Sequence, residues 1–142
     1  IQVFDSWAGV LDAHSYRTFA IPCLKRICEA ITEVPVTIFA KDAWFATADI
    51  AALNCATVGL DWAQDPQWAR NTVGPDRTLQ GNLDPCVLYA DAATIRRETA
   101  RMLDAFGPQR HIANLGHGVY PDTPVDGVRR FIDTVKEHNH RT

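Results

Sequence analysis

The stretch His-Ile-Ala-Asn-Leu-Gly-His-Gly-Val-Tyr-Pro-Asp-Thr-Pro, residues 111–124, decides how the fold is read. His111–Leu115 is a short β-type run, and Thr123-Pro124 supplies a helix cap followed by proline at the first helical position. Between them stands His117, held by Gly116 and Gly118. A strand that passes through a polar loop straight into a helix is a βα unit. An imidazole at its mouth, with glycines that let the backbone turn and a ligand approach, is how a side chain is delivered to a binding site.

Outward from this unit the pattern repeats. Further β-type runs occur at Ile1–Asp5, Pro35–Ala40, Thr57–Trp62 and Arg77–Gly81, rich in β-branched or aromatic residues. Helical spacing fills the gaps. Tyr16, Phe19 and Ala20 form one apolar cluster. Pro22 starts a segment in which Leu24, Ile27, Cys28 and Ile31 recur, and short helices are predicted over Thr47–Asn54 and after Asp65-Pro66. Asp91 caps a longer helix with Ile95, Met102, Leu103 and Phe106 on one stripe, closed by Gly107-Pro108. The last helix is predicted to bury Val125, Val128, Phe131, Ile132 and Val135.

Alternating short apolar strands and helices imply a parallel sheet covered by helices. A doubly wound sheet concentrates its site at one switch point, usually behind a glycine-rich turn, and Asp5-Ser6-Trp7-Ala8-Gly9 is not such a turn. Here every strand ends in polar residues: Asp5-Ser6, Lys41-Asp42, Asp61, Gln80-Gly81-Asn82, and Asn114 with His117. That distribution is expected of a barrel whose βα loops share one active face. The fold class is therefore α/β, five strand–helix units of a (β/α)8 barrel. A full barrel needs eight units, so residues 1–142 form one partial domain whose N-terminal part is missing. The isolated segment is expected to aggregate or to associate with that part. The start at Ile1, within a strand and without an initiator methionine, agrees with this reading.

Composition narrows the class. The chain has 142 residues, 46% of them hydrophobic, which excludes a disordered chain. A net charge of −3 offers no basic field for nucleic acid. No apolar run is long enough for a membrane span. Cys23, Cys28, Cys55 and Cys86 contain no C-x-x-C pair, so reduced thiols in the cytoplasm are expected.

Five segments carry a specific resemblance: Phe-Asp-Ser-Trp-Ala-Gly (Phe4–Gly9), Ile-Phe-Ala-Lys-Asp (Ile38–Asp42), Val-Gly-Leu-Asp-Trp (Val58–Trp62), Leu-Gln-Gly-Asn-Leu-Asp-Pro (Leu79–Pro85) and Asn-Leu-Gly-His-Gly-Val-Tyr-Pro-Asp (Asn114–Asp122). In order, over nearly the whole chain, they resemble the second part of the uroporphyrinogen decarboxylases. The resemblance implies a homodimeric (β/α)8 barrel of haem and chlorophyll biosynthesis that works without cofactor or metal. Its implied reaction removes four acetate carboxyl groups from uroporphyrinogen III, giving coproporphyrinogen III. It also implies a cytoplasmic enzyme, or a plastid one where a transit segment precedes it. Two of the family's substrate-contacting positions fall here, Ser6 and His117, with His117 the candidate catalytic group. The family's arginine-containing segment, pyrrole-binding aspartate and substrate-facing tyrosine belong to the earlier half. The segment alone is accordingly expected to be inactive.

The chemistry stands apart from the name. Direct loss of CO2 from a pyrrole acetate leaves a poor carbanion, whereas prior ring protonation makes the substrate its own electron sink. The site then needs donors for a polyanion and a group that moves protons. His117 and Ser6 supply such donors.

Plainer readings compete. A Gly-His-Gly turn can carry an incidental exposed histidine, and a serine after a strand is commonly a cap or turn former. Asp84-Pro85 reads as a cap. Lys41-Asp42 reads either as a cation for substrate carboxylates or as a local ion pair. Asp61, Gln80 and Asn82 point either into the barrel mouth or into a network that holds its loops. Trp44, Trp62 and Trp68 read mainly as core filling, with Trp7 beside a binding candidate. His138 and His140 read as a solvated tail, and Cys86 as a small buried residue. Two alternatives remain for the whole chain. One is a zinc-dependent methyltransferase-like barrel of the same superfamily, which the absence of a His-x-Cys pair weakens. The other is a non-catalytic half-barrel remnant, against which a complete upstream reading frame carrying the arginine segment would favour the enzyme.

Overall fold

The computed structural model describes residues 1–139. Five strands, β1 (Gln2–Asp5), β2 (Thr37–Ala40), β3 (Thr57–Gly59), β4 (Thr78–Leu83) and β5 (His111–Leu115), form one parallel sheet in sequence order. Strand order equal to chain order, with a helical crossover between neighbours, is barrel winding. A doubly wound sheet would reverse direction part-way.

Register separates the two faces. Val3, Ile38, Val58, Leu79 and His111 lie side by side across the strands, and Phe4, Phe39, Gly59, Gln80 and Ile112 form the next row. Side chains alternate along a strand, so one row faces the helices and the other the concave side. Ile38, Val58 and Leu79 are fully buried beneath the helices, while Phe4 and Ile112, on the two edge strands, are exposed on the concave side. The sheet is curled. Gln80 Nε2 donates to Gln2 Oε1 at 3.3 Å although β4 and β1 are three strands apart. In a flat sheet these strands would be separated by about 14 Å.

The helices follow local chemistry. Those before β2 are α1 (Ala13–Ser15), a π turn (Tyr16–Ala20) and α2 (Ile21–Ala30), running without a break. Pro22 therefore does not start a separate segment. Its ring and missing N–H are accommodated by the wide turn just before it, where the Ile21 N–H reaches back to Tyr16 O. Tyr16 is wholly buried and Phe19 is exposed, because five-residue spacing rotates Phe19 away from the sheet. Next come α3 (Thr47–Ala51) and α4 (Pro66–Val73), the latter capped by Asp65, whose carboxylate accepts from Trp68 N. Asp91 caps α5 (Ala92–Phe106), and its stripe of Ile95, Met102, Leu103 and Phe106 is buried as the spacing predicts.

In α6 (Val125–Asn139) the buried stripe is rotated from the predicted one. Gly127, Phe131 and Thr134 face inward, whereas Val125 and Ile132 are exposed. The cause lies at Gly127. A β-carbon there would run into the Leu88 carbonyl, so the glycine face alone lets α6 approach this closely.

Strand bounds shift by small amounts: β3 is shorter than expected and β4 runs on to Leu83. On the side opposite the polar strand ends, two arginines hold the loops. Arg70 donates to the carbonyls of Gly74, Arg77 and Arg110, and Arg77 to those of Ala51, Leu53 and Cys55. Cys86 is exposed, not buried, because the turn from Pro85 to Tyr89 presents Pro85 and Leu88 to the core instead. His138 is half-buried in α6, with Nε2 3.2 Å from Asp104 of α5, so it is no solvated tail. His140 lies outside the described residues.

Candidate active site

The concave side holds a cavity of about 360 Å3 that runs from Gln2, at the start of β1, to the carboxyl ends of the strands and is lined from all five strand segments. β1 brings Gln2, Phe4 and Ser6; β2 brings Phe39; Leu60 follows β3; β4 brings Gln80. The β5 segment brings Asn114 to Gly118. Ser6 and His117 are 111 residues apart in sequence and line the same space. The sheet's curl accounts for this, since it turns both edge strands toward one centre.

His117 is exposed but framed. Its ring lies 6.0 Å from that of Phe39 and 6.3 Å from that of Trp62, nearly perpendicular to the latter. The two flanking glycines differ in what they do. A β-carbon on Gly116 would collide with the Trp62 nitrogen and lie 2.9 Å from the Asp61 carbonyl carbon, while one on Gly118 would meet nothing within 4 Å. Gly116 is thus required by close backbone approach. Its N–H also donates to Leu83 O at 2.8 Å, which fixes the start of the loop.

The ambiguous polar residues divide cleanly. Asp61 is 1% exposed, and its carboxylate accepts from Asp42 N at 2.6 Å and from Ala63 N at 3.0 Å. Asn82 is buried beside it and donates to the carbonyls of Asp61 and Gln64. These two hold loops. Gln80, in contrast, faces the cavity. Asp5 is drawn away as well, because the buried Tyr16 hydroxyl donates to it at 3.0 Å. Burial, together with the neighbouring Asp5 charge, pushes the Tyr16 hydroxyl well above its ordinary range.

Lys41 pairs with Asp42 and lies over the Trp62 ring at 5.5 Å. Its local ion pair is realised, and the lysine is absent from the cavity lining. The tryptophans are not core. Trp7, Trp44 and Trp68 are exposed, and Trp62 is half-buried beside His117. Asp84 caps the turn at Cys86 N, as its spacing suggests.

Behind β5 sits a second histidine of different character. His111 stacks on Phe106 with ring centroids 4.1 Å apart, and its Nε2 is 2.7 Å from Gly81 O. A carbonyl only accepts, so Nε2 carries the proton. Burial holds the His111 pKa below its ordinary value, which the Gly81 bond partly opposes. It is a packed core histidine. Among the described residues no three histidine, cysteine or acidic side chains converge as a metal-ligand set would.

Gln2, Phe4 and Phe39 join the cavity without having been singled out from sequence as site residues, and Asn114, one of the polar strand ends, joins it too. The period-2 alternation held the signal, since Gln2, Phe4 and Ser6 share one face of β1 and its extension.

Comparison with known proteins gives the lineage. One solved structure, a methyltransferase from Methanosarcina mazei, superposes with a TM-score of 0.79 over 92% of this chain and 39% of its own, at 17% identity. That likeness establishes the fold. Uroporphyrinogen decarboxylases of Salinibacter ruber, mouse and human are 46%, 45% and 43% identical over 98% of this chain. The chain spans about 40% of the length of these curated relatives. The uroporphyrinogen decarboxylase (URO-D) family model matches residues 1–138, and the chain belongs to that family.

Proposed function

We propose that this chain is the part of a uroporphyrinogen decarboxylase that carries the second wall of its substrate chamber. The observation that carries the reading is the convergence of Ser6 and His117 on one cavity at the active end of the curled sheet. In the reaction, each acetate side chain loses CO2 and gains a proton, becoming a methyl group. A protonated pyrrole accepts the electron pair released from the breaking C–C bond, and the ring then gives its proton back. On this chemistry the substrate serves as its own electron sink, with neither cofactor nor metal.

His117 then donates to a substrate carboxylate and orients it, and takes part in proton transfer. Ser6 donates from the opposite wall. The four acetates of uroporphyrinogen III react in turn to give coproporphyrinogen III. The same reading places the protein in tetrapyrrole biosynthesis as a homodimer. The exposed Trp44 and Trp68, whose rings meet at 6.3 Å, offer apolar surface for such pairing. It also places the protein in the cytoplasm, or in a plastid where a transit segment precedes it. Among the described residues no helix is long and apolar enough to cross a membrane.

The test is CO2 release from uroporphyrinogen III by the full-length protein and its His117→Asn variant. The expected loss of kcat is roughly 10²–10⁴-fold if the imidazole moves a proton. A variant with wild-type kcat and KM would remove His117 from both roles.

A further inference from the structure

The polar members of the cavity lining are Gln2, Ser6, Gln80, Asn114 and His117, and among the described residues no lysine, arginine or carboxylate lines it. Internal hydrogen bonds set the direction of its amides. Gln80 Nε2 donates to Gln2 Oε1, which engages the Gln2 oxygen and leaves its NH2 free. Asn114 Oδ1 accepts from Leu115 N at 2.9 Å, which likewise engages the oxygen of that amide and not its NH2. A primary amide has two N–H bonds, so the glutamine pair keeps three to donate and Asn114 keeps two. The half-buried Gln2 and Gln80 and the exposed Asn114 thus present amide N–H groups to the cavity.

We infer that Gln2, Gln80 and Asn114 are specificity-determining residues that bind a carboxylate side chain of the substrate through neutral amide N–H groups. The ligand class is a polycarboxylate, and the inference rests on the decarboxylase reading above. An amide gives a directional bond to a carboxylate, and on this wall it leaves no unpaired cation when the product carries a methyl group in its place. The Gln2–Gln80 bond also joins β1 to β4, so the same pair holds the chamber's curvature.

The two roles separate in steady-state kinetics of the full-length protein with uroporphyrinogen III, alongside its melting temperature. Gln2→Leu, Gln80→Leu and Asn114→Ala are each expected to raise KM roughly tenfold or more, the scale of a hydrogen bond to a charged group, with kcat within about threefold. Gln2→Glu, close in shape but acidic, is expected to raise KM further than Gln2→Leu. Asn114→Ala breaks no contact between strands, so it decides the matter even where a glutamine variant loses its fold. Wild-type KM in Asn114→Ala and Gln2→Glu, or a lowered melting temperature with unchanged KM in the glutamine variants, would overturn the inference and leave the pair a purely structural brace. An inactive wild-type protein would overturn the decarboxylase reading itself, and this inference with it.

Discussion

Gly116 and Gly118 flank the same imidazole, yet only Gly116 is confined, because its α-carbon sits against the Asp61-Trp62 peptide. Gly116→Ala is expected to cost more than about 2 kcal/mol and to displace His117, whereas Gly118→Ala should stay within about 0.5 kcal/mol. Chemical denaturation of both variants checks this. His111 supplies a pH signature. Its folded pKa lies below the ordinary value of 6.5, so the unfolded chain takes up a proton there more readily than the folded one. Stability is therefore lost as pH falls below about 6.5 and levels off beneath the folded pKa. Urea midpoints measured from about pH 8 down to about pH 5 should show this slope, and His111→Leu should flatten it. A slope unchanged in that variant would assign the effect to other groups.

At the scale of elements, α6 sets propensity against packing. Alanine favours a helix over glycine by about 1 kcal/mol, yet a methyl group at position 127 would strike the Leu88 carbonyl. Gly127→Ala is expected to destabilise by roughly 1–3 kcal/mol in spite of its better propensity. A stabilised variant would mean that α6 moves outward easily. The loop after β3 hangs on one carboxylate. Asp61→Ala strips two backbone N–H groups of their acceptor and is expected to cost roughly 3 kcal/mol, while Asp61→Asn keeps one acceptor and should cost less. Thermal melts of the pair give the ranking.

For the whole molecule, the edges matter most. β1 and β5 each have one neighbour, and the exposed Phe4 and Ile112 stand on the concave face between them. Unpaired strand edges beside apolar surface promote association. Residues 1–142 expressed alone are expected to sediment as oligomers or aggregates. Co-expression with the preceding part of the Salinibacter ruber relative should yield a discrete soluble complex. A monodisperse, cooperatively melting monomer of residues 1–142 would refute this.

The sequence by itself determined the order of elements, the parallel sheet, the caps at Asp65, Asp84 and Asp91, and the polar ends that mark the active side. These are local properties: period-2 alternation, cap spacing and strand length depend on near neighbours in the chain. Ser6 and His117 were singled out through the family resemblance of their strand-end motifs, and the fold brings both to one cavity. Only the tertiary structure decided which polar residues face the chamber. Asp61, Asn82 and Gln80 are alike in sequence position, and the backbone N–H groups of Asp42 and Ala63 claim the first while loop carbonyls claim the second. Sheet curl, which joins Gln2 to Gln80, and helix approach, which rotates the buried face of α6, arise from contacts between distant segments. No spacing within one segment encodes them.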